Sequence, residues 1–166
     1  MTLEQLHLEG FPTIALAAGL GAILGVEREF AGKPAGIRTH MFVCAGSALM
    51  MILGQEIINV FQDLESAETF SADPIRILQA IVVGISFLGA GTIVHDAREG
   101  VEGLTTAATI YLTAGIGLAV AVERAALAVV ITLSAVLVLF FIGWLERRSR
   151  RRKTQHTCPS PAPPKE

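Results

Sequence analysis

The residues best able to do chemistry lie in "GVEREFAGKPAGIRTHM", Gly25 to Met41. Glu27, Arg28 and Glu29 alternate acid and base, and Lys33, Arg38, Thr39 and His40 follow. Two carboxylates this close could offer oxygen ligands to a hard cation such as Mg²⁺. They could also belong to a proton path, be neutralised by the neighbouring cations into a polar lock, or lie in a solvated loop whose charges only satisfy the positive-inside bias. Arg38 and Lys33 are the expected local partners of Glu27 and Glu29. Further acids are Glu56 and Asp73. In "DPIR" Asp73 reads as a helix N-cap, with Pro74 at the first helical position. Arg76 then falls close enough to pair with Asp73, and the two mark a second polar mouth. Thr39, and Thr105 or Thr106, read as caps by the same logic.

Covalent catalysis finds no support. "GIS" at Gly84–Ser86 has the start of a serine-hydrolase turn, but Phe87 stands where a tight elbow needs glycine. His95 has no evident partner, and the H-E-x-x-H pattern of zinc proteases does not occur. Cys44 and Cys158 are too far apart in context to be read as a metal or disulfide pair. The expectation is a chain that is not an enzyme and carries no cofactor, with any metal ligand set left open.

The elements that position the charged stretch are oily. Hydrophobic residues make up 52% of the chain and charged residues 17%, against ~25% charged in an average soluble domain. Phe11–Val26, Met41–Gln55, Ile77–Val94, Leu104–Val122 and Ala125–Leu145 carry no charge. A bilayer core needs roughly 17–25 such residues per helix. The pattern predicts an all-α, polytopic membrane bundle with five transmembrane helices, over about 8–28, 40–61, 75–94, 104–122 and 125–145. Residues 146–166 read as a basic, then Pro-rich, disordered tail. The N-terminus has no basic n-region and does not read as a cleaved signal.

Lys and Arg set the orientation. The run "ERRSRRRK" follows the fifth span, the first connection carries Arg28, Lys33 and Arg38, and the third carries Arg98. The second connection is acidic. These place the C-terminus and the charged stretch in the cytoplasm and the N-terminus outside. The basic run is expected to contact anionic lipid, not nucleic acid.

Small residues predict where helices touch. Gly21 and Gly25 form a GxxxG pair, and Gly84, Gly89, Gly91, Gly103, Thr105 and Thr106 extend the set; such residues let backbones approach closely in lipid. The fifth span is bulky and ends at Trp144. A tight bundle of four helices with a peripheral fifth is expected. "AGIRTHMFV" weakly echoes "EGLTTAATI", aligning Gly36 with Gly103 and Thr39 with Thr106.

Three blocks in this order, "GLGAILGVEREFAGKPAGIRTHMFVCAGSAL", "DPIRILQAIVVGISFLGAGTIV" and "GLTTAATIYLTAGIGLAV", resemble the transmembrane domain of the MgtC/SapB family over roughly Gly19 to Val122. Ser86 and Tyr111 depart from residues common in that family. A basic, Pro-rich tail stands where the virulence-associated branch continues into a soluble domain, so the chain resembles the short form. The resemblance implies a multi-pass protein of the bacterial inner membrane, tied to magnesium homeostasis and stress adaptation. The family's best-studied branch is associated with restraint of the proton-translocating ATP synthase in place of magnesium carriage, and a short form carries over only what does not need the soluble domain. Two functions follow: a regulator that binds another membrane protein, with a homo-oligomer as a further option, or a transporter or channel for Mg²⁺, H⁺ or a small solute. No span has an acid at its midpoint, which weighs against the second.

Overall fold

The computed structural model describes residues 10–64, 73–96 and 100–154. Among these residues five helices form: α1 (Phe11–Phe30), α2 (Ile37–Leu64), α3 (Pro74–Ala90), α4 (Leu104–Ala121) and α5 (Ala125–Thr154). Four of them are long and apolar enough to cross a membrane, over Phe11–Phe30, Ile37–Val60, Leu104–Ala121 and Ala125–Leu145. Large apolar side chains cover their outward faces, and Phe87 on α3 is 85% exposed. So much contiguous apolar surface is what a lipid solvent requires.

α4 is the hub, touching each of the other four helices. One core cluster joins Ala17, Leu20 and Leu24 of α1 to Cys44, Ala48 and Met51 of α2. Ile116 and Val120 of α4 and Ala128 of α5 complete it. A second cluster sets Val43 against Ile110 and Ala114, with Ile85 of α3 at its edge. The tight unit is therefore α1, α2 and α4. The expected four-helix core is corrected by α3, on which Gly89 alone is buried. α5 lies against α1 and α4, with Thr132 and Ala128 buried and Leu137, Phe140 and Phe141 facing outward.

Two expected boundaries move by four residues or more. The span over 75–94 stops at Ala90, giving a helix of 17 residues, or about 25 Å. The chain turns there because Gly91 and Thr92 fold back: Gly91 N–H donates to the Phe87 carbonyl at 3.1 Å and the Thr92 hydroxyl to the Gly89 carbonyl at 2.7 Å. Val94–Asp96 (β1) then pairs antiparallel with Gly100–Glu102 (β2), Val94 opposite Glu102, and this hairpin leads into α4. At the other end, residues 146–154 are not a disordered tail. α5 continues through them to Thr154, since Arg, Lys and Glu are good helix formers and proline first appears beyond. The Arg148 guanidinium stacks 5.3 Å from the centroid of Trp144, a cation–π contact suited to an interfacial anchor. Glu4, Glu9, Glu65, Glu68, Arg98 and the Pro-rich stretch after Thr154 lie outside the described residues.

Candidate functional site

Backbone contact builds the site. A Cβ on Gly21 would meet the His40 carbonyl, and one on Gly25 would stand 2.6 Å from Ile37 Cα and 2.9 Å from the Gly36 carbonyl oxygen. α1 and α2 therefore touch main chain to main chain, as small residues permit in lipid. Gly117 of α4 closes on the Cys44 carbonyl in the same way. The three helices meet around the first turns of α2.

α1 does not fray where its charges begin. It continues to Phe30 and ends with Gly32 at φ 66°, Lys33 N–H donating to the Arg28 carbonyl and Gly32 N–H to the Glu29 carbonyl, both at 3.0 Å. That is the paired bonding of a glycine-terminated helix end. Arg28 thus stays helical, on the face of Gly21 and Gly25, and is 4% exposed. Its Nη2 donates to Glu27 Oε1 at 2.8 Å, and its Nε to Glu27 Oε2. A forked guanidinium–carboxylate pair of this kind satisfies a buried charge.

Glu29 reaches forward. Its Oε2 accepts the Ile37 N–H at 2.9 Å, so the end of α1 caps the start of α2. His40, fully buried, makes two contacts: Nδ1 with the Gly36 carbonyl at 2.9 Å and Nε2 with Thr109 Oγ1 at 3.3 Å. The Thr109 hydroxyl also lies 2.9 Å from the Thr106 carbonyl. The Gly36 carbonyl accepts hydrogen bonds from the His40 backbone N–H, at 3.2 Å, and from Nδ1 as the imidazole leans back toward the start of α2, and Thr109 extends the chain of polar groups into α4. Among the described residues no buried side-chain nitrogen or oxygen is left without a partner.

Several expected pairings are corrected. Lys33 and Arg38 are exposed and form no ion pair among the described residues; Glu27 is held by Arg28 and Glu29 by a backbone N–H. Thr39 is half-buried and does not cap α2, because the helix has already begun at Ile37, whose N–H Glu29 holds. Thr105 is exposed and Thr106 buried; the N-cap of α4 is Gly103, at φ 88° and without a side-chain bond. Asp73 does cap α3, Oδ1 accepting the Ile75 N–H at 2.9 Å. It forms no ion pair with Arg76, whose side chain is exposed.

The glycines divide. Gly21 and Gly25 are packed, and Gly103 is pressed against the Thr92 carbonyl. Gly89 is in ordinary contact with Ala107, its nearest atom 3.7 Å from a built Cβ. Gly91 meets only its own helix end, and Gly84 meets nothing within 4 Å, so the expected packing role of Gly84 is corrected. Glu56 is exposed on α2. Among the described residues no three His, Cys, Asp or Glu side chains come together in a way that could hold a metal ion.

Sequence reasoning missed Thr109 as part of the cluster. The signal was present: His40 is an apolar span's imidazole in need of a partner, and Thr106, Thr109 and Thr113 recur at helical spacing on one face of a later span.

The sequence model of the MgtC family matches residues 14–148. A protein of Haemophilus influenzae is 34% identical over 153 residues, covering 90% of this chain and 63% of that protein. YhiD of Escherichia coli is 43% identical over 107 residues, covering 64% of this chain and 47% of YhiD. Protein MgtC of Salmonella typhimurium is 41% identical over 98 residues, covering 59% of this chain and 37% of that protein. The chain thus spans less than two thirds of each of these relatives. No solved structure gives a significant match.

Proposed function

The chain belongs to the MgtC family, and from that premise we propose that it is a non-enzymatic module of the bacterial inner membrane that modulates ion homeostasis by engaging another membrane protein. One observation carries the reading: both acids, Arg28 and the imidazole of the polar cluster are committed to partners within the chain. Arg28 is locked to Glu27, Glu29 caps α2, and His40 joins α2 to α4 through Thr109. Side chains committed this way stabilise a fixed shape and are poorly placed to strip water from Mg²⁺, which gives up its hydration shell reluctantly. Much of the remaining helix surface is apolar, suited to lateral contact with a membrane partner.

In this reading the charged end of α1 and the basic end of α5 face the cytoplasm. The proton-translocating ATP synthase is the partner class to test first, since it is the one the family resemblance implies. Purification in mild detergent from native membranes is expected to recover a stoichiometric membrane partner. Repeated recovery of the chain alone overturns the proposal, as does Mg²⁺ uptake by proteoliposomes that Glu29→Gln abolishes.

A further inference from the structure

α3 leaves the bundle open on one side. It meets α2 where Gly54 faces Ile77 and meets α4 where Gly89 faces Ala107. Between α2 and α3 lies a groove of about 760 Å³, within the roughly 300–1,000 Å³ typical of small-ligand sites. Its walls are apolar, with Phe42 and Leu88 at one end and Arg76 at the other. Ser47 lines it too, but its hydroxyl already donates to the Val43 carbonyl at 2.8 Å. Among the described residues Arg76 is the one charged side chain in the lining, and no carboxylate of theirs pairs with it. Asp73, the nearest acid in sequence, holds the Ile75 N–H.

Glycine keeps the groove empty. Gly46 and Gly84 both line it, and a Cβ on either would meet nothing within 4 Å. Glycine is a poor helix former, and close approach to a neighbouring helix does not account for these two. A side chain at either position would project into the space instead.

We propose that this groove binds one anionic phospholipid, its phosphate on Arg76 and an acyl chain laid along α3 past Gly84. The dimensions suit a single leaflet. From Arg76 to Leu88 the helix rises roughly 18 Å, against about 15 Å for half of a bilayer core. A guanidinium grips phosphate by charge-assisted hydrogen bonds, and the apolar walls accept the chain. The inference requires only that the protein lie in a bilayer; it stands apart from the regulatory reading above.

Native mass spectrometry of the full chain in mild detergent tests it, with dioleoylphosphatidylglycerol and dioleoylphosphatidylcholine as probes. One phosphatidylglycerol per chain is expected to be retained, with a preference of about fivefold over phosphatidylcholine, which carries the same phosphate but also a choline cation that Arg76 repels. The basic end of α5 attracts anionic lipid generally, so the decisive reading is the change on Arg76→Gln, which is expected to cut the preference below about twofold. Gly84→Leu is expected to reduce retention of both lipids without altering the melting profile, and Gly46→Leu repeats the test should the first variant fail to fold. Equal retention of the two lipids overturns the proposal, as does a preference that survives Arg76→Gln or retention that survives both leucine variants. A dimer that Gly84→Leu dissolves, with no lipid retained, also overturns it and assigns the groove to a second copy of the chain.

Discussion

Gly25→Ala and Gly84→Ala are the same chemical change, and the structure predicts opposite signs for them. The methyl group added at Gly25 would lie 2.6 Å from Ile37 Cα and 3.0 Å from its nitrogen. Carbon atoms rest at ≈3.5–4.0 Å, so α1 and α2 must part by about 1 Å. Backbone cannot rotate away as a side chain can, which puts the overpacking cost near the top of its usual ~1–3 kcal/mol. The parting also stretches the 2.9 Å bond from Ile37 N–H to Glu29, a helix-capping contact worth ~0.5–2 kcal/mol when whole. Against this, alanine favours helix over glycine by ~1 kcal/mol. The net expectation is a loss of about 2–4 kcal/mol for Gly25→Ala. At Gly84 nothing lies within 4 Å, so the helix preference stands alone and stability rises by up to ~1 kcal/mol. Unfolding of both variants by SDS in mixed micelles, followed by helical circular dichroism, gives the comparison. Equal losses, or an unchanged Gly25→Ala, refute the assignment of main-chain contact between α1 and α2.

Glu29→Ala should cost about 1 kcal/mol by the same assay, as loss of a helix cap does, whereas Lys33→Ala and Arg38→Ala should stay within about 0.5 kcal/mol; a large effect at either cation would restore the ion pairs that the geometry removes. Thr109→Val keeps the shape and deletes the partner of His40 Nε2, for an expected loss of ~1–3 kcal/mol. Combined with His40→Ala it should be non-additive by at least ~0.5 kcal/mol, and strict additivity would mean that the 3.3 Å contact contributes nothing. Gly103→Ala meets both a left-handed backbone at φ 88° and the Thr92 carbonyl, so it should lower stability by more than ~2 kcal/mol; a native melting curve would refute the strain.

The helices were legible where charge bounds an apolar run. α4 was expected over 104–122 and spans Leu104–Ala121; α5 begins at Ala125 as expected. Glu123 and Arg124 are the reason, since they sit in the turn between the two helices. Length failed where no charge marks the end. Ile77–Val94 reads as one run, but Gly89-Ala90-Gly91 gives the helix a place to stop, and hydropathy alone is blind to it. The opposite mismatch lies at Leu145, where charge reads as the end of order. Charge ends the apolar stretch, not the helix, because Arg and Lys carry high helix propensity and α5 keeps winding to Thr154.

The cluster was legible as a place and not as a set of bonds. Counting opposite charges assigned Lys33 and Arg38 to the two acids, yet the partners are an adjacent residue and a main-chain N–H. Neighbours in a helix point about 100° apart, so the Glu27–Arg28 pair is invisible to a wheel, and backbone donors carry no sequence label. Glycine shows the same limit from the other side. Gly21, Gly25 and Gly84 look alike as small residues in apolar helices, but two are in contact with backbone and the third faces open space. A GxxxG spacing says that a helix can be approached closely. Only the neighbour decides whether it is, and that neighbour is α2 for α1 and, for α3, whatever fills the groove.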